Sequence, residues 1–324
     1  MLLSTLMLTF AVVAFASYDQ PILGISLGTR DFTAVQSLAN GSTSLIARVS
    51  ANATYTNWFE EELKLSEHER STVDFAALEQ AILAIRHAVT QKLQQQTQFR
   101  IVTAPKEMRD PVIKTFTKLD LLAPIEVPAT NYIRPASAIH YAHGLGTCET
   151  ADLPTGCDPE DISGEALWLD FDASSLSVRL LSFEEHAADP GTESVFSDLA
   201  EMYHTETTSE RVISALQEHF SNFLDQDTVL KDFPGRRGND FKPLRSDIKA
   251  IVASGDPPPG SLEAVRLALH RISPDLASRI RGSTDPSLAL ATGAALRARE
   301  MLDRPEIYSA NICHHSEEYS HDEL

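Results

Sequence analysis

The stretch LWLDFDASSLSVRLL, residues 167–181, holds the two carboxylates best placed to do chemistry. Asp170 and Asp172 fall on one face of a strand, because side chains alternate along it. A pair so placed could divide acid and base roles. It could equally be a solvated or bridging pair with no reaction to serve. The rhythm around it is strand, turn, strand, the kind of bend that wraps a phosphate. Yet the bend reads Asp172-Ala173-Ser174-Ser175 and contains no glycine. Phosphate loops use glycine because backbone amides must approach closely with unusual φ.

Other reactive side chains are sparser. Cys148 and Cys157 flank the loop-like CETADLPTGC, and pairing them would close a short loop worth ~2–3 kcal/mol in the chain-entropy account; two unpaired thiols are the alternative. Cys313-His314-His315, with His321 nearby, has no second cysteine at ligand spacing and reads as an acidic tail bearing histidines. The eleven histidines show no HxxxH helical spacing. No Ser/His/Asp or Cys/His triad can be assembled from the sequence alone.

The elements that must position these residues follow from periodicity. ILGISLGTRDFTAVQSLANGSTSLIARV reads as two strands joined by Asn40-Gly41. DFAALEQAILAIRHAVTQKLQQQ spaces apolar residues three and four apart, an amphipathic helix. FRIVTAP is a short buried strand stopped by Pro105, PVIKTFTKLDLL a helix, PIEVPAT extended, and ASAIHYAHGL a helix. The stretch 167–181 is a strand pair. SERVISALQEHFSNFLDQ is a helix capped by Ser209. DIKAIVASGDPPPG is a strand running into a turn, and SLEAVRLALHRI and DPSLALATGAALRAREML are helices. One plan thus occurs twice: hairpin, helices, single strand, small-residue helix. That repetition predicts an α/β protein of two lobes with a cleft between them. The expected divisions are 17–147 and 165–302 for the lobes, 148–164 for a connecting loop and 303–324 for an acidic tail.

Composition is that of a soluble globular chain, 43% hydrophobic and 23% charged over 324 residues. The net charge of -19 argues against nucleic-acid or anionic-membrane partners, since each phosphate contact needs a cation. Both ends carry addresses. Residues 1–16 read as a signal peptide, an apolar run with Ala14-Phe15-Ala16 before a cleavage at Ser17. No membrane span is expected once it is removed. His321-Asp322-Glu323-Leu324 is an endoplasmic-reticulum retrieval signal, implying a retrieval receptor as partner. In that lumen, Asn40-Gly41-Ser42 and Asn52-Ala53-Thr54 are glycosylation sequons.

Seven segments in order resemble the nucleotide-binding domain of the seventy-kilodalton heat-shock (DnaK-type) chaperones, in the actin-like ATPase superfamily. GISLGTRDFTAV resembles the first phosphate hairpin, and IVTAPKEMRDPVIKTF the strand, proline and helix after it. RPASAIHYAHGLG resembles the first connecting helix, with one extra residue before Gly144. LWLDFDASSLSVRLL resembles the second phosphate hairpin and VISALQEHFSNFL the next helix. IVASGDPPPGSLEAV resembles the adenosine-side strand and turn, and DPSLALATGAALRARE the second connecting helix. The resemblance runs from residue 22 to about 302 and implies a two-lobed actin-like fold.

It also implies a nucleotide cleft lined by Gly28, Thr29, Asp170, Ser174, Ser175 and Gly255. Four acids belong to the family's magnesium chemistry, and only Asp170 remains; Ser26, Arg134 and Ser177 stand at the other three places. Arg30 replaces a small hydroxyl residue, and Thr208-Ser209 replace a glycine pair. Asp172 adds an anion where phosphate oxygens would sit, with about 1 kcal/mol or more of repulsion. Only short stretches lie where the family inserts its two lobe-tip subdomains, and the catalytic lysine has no counterpart. No peptide-binding domain is expected after the second connecting helix.

Two functions are therefore expected from different classes. One is a lumenal pseudo-ATPase, a binding or regulatory module in protein folding whose partners are chaperones or cochaperones. The other is a weak but genuine ATP hydrolase using ATP with magnesium. Sugar phosphorylation on the same fold lacks a recognisable sugar-side acid.

Overall fold

The computed structural model describes residues 21–64, 75–124, 131–172, 175–196, 210–225, 248–305 and 307. The signal segment 1–16, Ser174, the Thr208-Ser209 pair, the Ser209 cap, Cys313 with its histidines and the retrieval tetrapeptide lie outside these residues. By internal contacts the chain forms two units. One comprises residues up to Arg134 together with Ala294 onward, the other Pro135–Gly293. The expected lobes instead ended at 147 and 302. The disulfide loop belongs to the second unit, and the end of the last helix to the first.

The first unit begins with β1 (Ile22–Leu27), β2 (Asp31–Ser37) and β3 (Thr43–Ser50), an antiparallel meander. The expected pair of strands is thus three, because the chain also reverses at Gly28-Thr29-Arg30. Helices α1 (Ala53–Glu62) and α2 (Ala76–Leu93) follow, then β4 (Ile101–Thr103), α3 (Arg109–Lys118) and β5 (Tyr132–Ile133). The sheet order is β3-β2-β1-β4-β5, with β4 and β5 added in parallel.

Alternation turns Leu23, Ile25 and Leu27 of β1 into one core. Helix α2 meets that core with Leu78, Ile82, Ile85 and Val89, all fully buried at helical spacing. Helix α1 was not foreseen, since its aromatic residues have modest helix propensity. It forms because Asn52 caps it, the side-chain oxygen accepting from the Tyr55 N–H at 2.8 Å. Packing then adds Tyr55 against Phe32 at 4.7 Å between rings, and Trp58 among Tyr55, Phe59 and Phe75.

The second unit opens with α4 (Pro135–His143), then β6 (Ser163–Phe171), β7 (Leu176–Glu184) and β8 (Ala188–Phe196), again an antiparallel meander. Next come α5 (Glu210–Asp225), β9 (Ile248–Gly255), α6 (Ser261–Ile272), the short α7 (Pro274–Ser278) and α8 (Ala289–Asp303), within which the division into units falls. Strand β9 joins β6 in parallel, giving the order β8-β7-β6-β9. This is the first sheet's β3-β2-β1-β4 repeated. The protein is α/β, with two mixed sheets flanked by helices.

Leu167, Leu169 and Phe171 point to a core completed by α5 and α6. Trp168 points the other way, with Ala136, Ile139 and Val252. Glycine permits the closest approach there: a Cβ on Gly293 would lie 1.8 Å from the Ala138 carbonyl oxygen. A disulfide joins Cys148 to Cys157, with Cα atoms 5.8 Å apart. No helix among the described residues is long and apolar enough to cross a membrane.

Candidate functional site

In the second unit the cross-strand register builds a polar cluster beside the β6–β7 bend. Trp168 of β6 lies opposite Arg179 of β7, which lies opposite Glu193 of β8. One step along, Asp170 is flanked by Ser177 on β7 and Ser254 on β9. Same-face neighbours on adjacent strands are within side-chain reach. The Trp168 indole N–H donates to Ser254 Oγ at 2.8 Å, and the Ser254 hydroxyl donates to Asp170 Oδ1. Ser254 is fully buried, so its hydroxyl orients the carboxylate and is not a presented nucleophile.

Arg179 closes the cluster. Its guanidinium carbon stands 4.7 Å from the centre of the Trp168 ring, a cation–π arrangement. One nitrogen lies 3.5 Å from Asp170 Oδ2, while Nη2 and Nε approach Glu193 Oε1 at 2.7 and 2.8 Å. Burial pushes the Asp170 carboxyl above the usual range; the Ser254 hydrogen bond and Arg179 pull it down, and Asp172 and Glu193 push it up. Neither Arg179 nor Glu193 was singled out in the sequence. Their signal was the register, in which a residue two after Ser177 faces Trp168, and strand β8 was not foreseen at all.

Among the described residues, the remaining second-unit candidates Ser175 and Gly255 have backbone roles. At the bend the Asp172 N–H donates to the Ser175 carbonyl at 2.9 Å, closing the turn on itself. Gly255 has φ +84°, and a Cβ there would lie 1.8 Å from the Phe171 carbonyl oxygen. Glycine is thus required by the seam between β9 and β6. Beneath it His143, the last residue of α4, donates from Nε2 to the Ala253 carbonyl at 3.2 Å. Burial depresses its pKa to about 4, opposed by that hydrogen bond and assisted by Arg281.

In the first unit the corresponding bend is Gly28-Thr29-Arg30. The Gly28 N–H donates to the Asp31 carbonyl at 3.0 Å. The Thr29 carbonyl accepts from Thr56 Oγ1, and the Arg30 carbonyl from the Ala51 N–H. Ser26 lies in a row of hydroxyls across three strands, between Thr33 and Thr103. Thr33 Oγ1 and Thr103 Oγ1 are buried without a hydrogen-bond partner among the described residues.

Magnesium with ATP would have to be held by these groups. The ion wants oxygen ligands, carboxylates foremost, and among the described residues no three His, Cys, Asp or Glu side chains cluster as a metal site. Asp170 is held by a cation and a hydroxyl. The Gly28 amide already has its acceptor. This donor set fits magnesium–ATP poorly. The structure brings Asp170 together with Gly255's strand, and places Gly28 and Thr29 in the other unit. Sequence comparison adds no assignment: no protein-family model matches the chain, and no curated protein is significantly similar to it.

Proposed function

We propose that this chain is a catalytically silent relative of the actin-like ATPase domain of seventy-kilodalton heat-shock chaperones, serving in the endoplasmic-reticulum lumen as a binding or regulatory module for chaperones or cochaperones. The observation that carries the reading is Arg179. It sets a permanent cation against Asp170, the one carboxylate left from the metal-side set, and Glu193 anchors it from the far side. A magnesium ion would have to compete with a charge that cannot dissociate. The repeated sheet order supports the duplicated fold that the reading needs. Retained Gly255 does not argue for nucleotide, because strand packing alone demands it.

The test is calorimetric titration of the purified chain with magnesium–ATP. No heat of binding is expected up to millimolar nucleotide; a micromolar affinity would overturn the proposal.

A further inference from the structure

The two sheets have four outer edges, and an unpaired edge is a template for another chain. Three of the four are very short, overlaid by other chain or interrupted by proline. Strand β5 is only two residues long. Strand β9 is overlaid by the chain at Arg279–Arg281: the Ile251 N–H donates to the Arg279 carbonyl at 2.9 Å, and the Arg281 N–H to the Ile251 carbonyl at 2.8 Å. Strand β8 carries Pro190, which has no N–H to offer, between exposed Asp189 and Gly191, although Val195 on it is 56% exposed.

Strand β3 is different. It is eight residues long, roughly 27 Å of edge, and pairs only with β2 among the described residues. Its sole charge, Arg48, is bonded inward to Asp31. Leu45 on the strand and Leu38 beside the turn are 43% and 38% exposed. A β-bulge at Ala34/Val35, the one edge-blunting device on this strand, leaves Ile46 without an opposite residue and splits the edge into Thr43–Leu45 and Ala47–Ser50.

A sequon stands at the end of each piece. Asn40 sits in the β2–β3 turn and is exposed; its Oδ1 accepts from both the Ser42 N–H at 3.0 Å and the Ser42 hydroxyl at 2.7 Å. Asn52, also exposed, lies two residues past the end of β3 and uses only Oδ1 to cap α1. In both, the bonds fall on the amide oxygen, and Nδ2 has no hydrogen bond among the described residues. A sugar on Nδ2 therefore breaks neither the turn nor the cap.

We infer that Asn40 and Asn52 are both N-glycosylated and that the two glycans together shield the β3 edge from strand-to-strand association. The donor class is a lipid-pyrophosphate-linked oligosaccharide. Nδ2 bonds to the anomeric carbon of its first sugar, and that carbon's bond to the pyrophosphate oxygen breaks. The lipid pyrophosphate leaves with the electron pair, and the amide gives up one proton. The inference rests on the lumenal address in the proposed function and is indifferent to whether nucleotide binds.

The test expresses the full chain in secretory eukaryotic cells beside Ser42→Ala, Thr54→Ala and the double variant, which keep the asparagines and the α1 cap. Expected are two endoglycosidase-sensitive mobility steps, one lost in each single variant. The double variant, folded by circular dichroism, should elute as a dimer or larger, with amide exchange at least tenfold slower across Thr43–Ser50. Adding Leu45→Lys should return it to monomer. Protein sheltered from protease inside intact microsomes but lacking sugar on either asparagine overturns the inference and leaves the lumenal address standing. Protein open to protease in that assay overturns both. An unglycosylated double variant that stays monomeric overturns the shielding role.

Discussion

A backbone bond closes both the β1–β2 and the β6–β7 bend, but only beside the second does a charged side-chain stack hold the seam. Around Gly28-Thr29-Arg30 the amide and carbonyls bond to Asp31, Thr56 and Ala51, and the charged pair Asp31–Arg48 lies off to one side. Around Asp170 the seam is held by an indole, a hydroxyl, a guanidinium and two carboxylates. Two bends in matching places of repeated sheets are thus held by different means. One contains Gly28. The other has no glycine in Asp172-Ala173-Ser174-Ser175 and stands beside a salt-bridged stack.

The glycines break that comparison most sharply. Gly255→Ala forces an L side chain to φ +84° against the Phe171 carbonyl and should cost roughly 3–5 kcal/mol, measured by urea midpoint. Gly28→Ala meets only the Asp31 oxygen at 3.3 Å and should cost about 1 kcal/mol or less. Equal losses would mean the β9–β6 seam and the β1–β2 bend are held alike.

Acid should separate the units next. His143 has a folded pKa of about 4, below the unfolded value of 6.5, so the unfolded chain binds the extra proton. Stability is then full above the unfolded pKa and declines as pH falls from about 6.5 toward 4, by roughly 3 kcal/mol in all. His143→Gln, which can still donate to Ala253, should flatten that slope when urea midpoints are compared at pH 7 and 4.5. A slope unchanged in the variant would assign the acid sensitivity elsewhere. In the first unit the hydroxyls beside Ser26 have nothing to titrate in this range.

A smaller contrast tests the charges. Arg179→Ala leaves Asp170 and Glu193 facing each other without their cation and removes the stack on Trp168; about 2 kcal/mol should be lost. Arg48→Ala takes away an exposed pair and should cost under about 1 kcal/mol. In high salt the Arg48→Ala loss should shrink towards zero while most of the Arg179→Ala loss persists, since screening acts on the exposed pair first.

Much of the fold was legible because long apolar periodicities decide long elements. The stripe Leu78, Ile82, Ile85, Val89 names helix α2, and SLEAVRLALHRI coincides with α6, Ser261–Ile272. Strand β8 was hidden because ADPGTESVF has no alternation to read, its exposed residues facing outward on an edge. Helix α1 was hidden because its apolar residues are aromatic and its length is short. Asp170 could be picked out by its place in the hairpin rhythm, whereas Arg179 and Glu193 could not. Their roles exist only once β6, β7 and β8 lie side by side, and nothing local in the chain fixes that register.

The chain has two tryptophans, and they have fallen one to each unit: Trp58 within an aromatic cage, Trp168 beneath a guanidinium with its N–H engaged. Each unit therefore carries its own fluorophore in a chemically distinct setting. Trp58→Phe and Trp168→Phe single variants would emit from one unit at a time, so the melting of either half can be watched optically in the intact chain without adding a label.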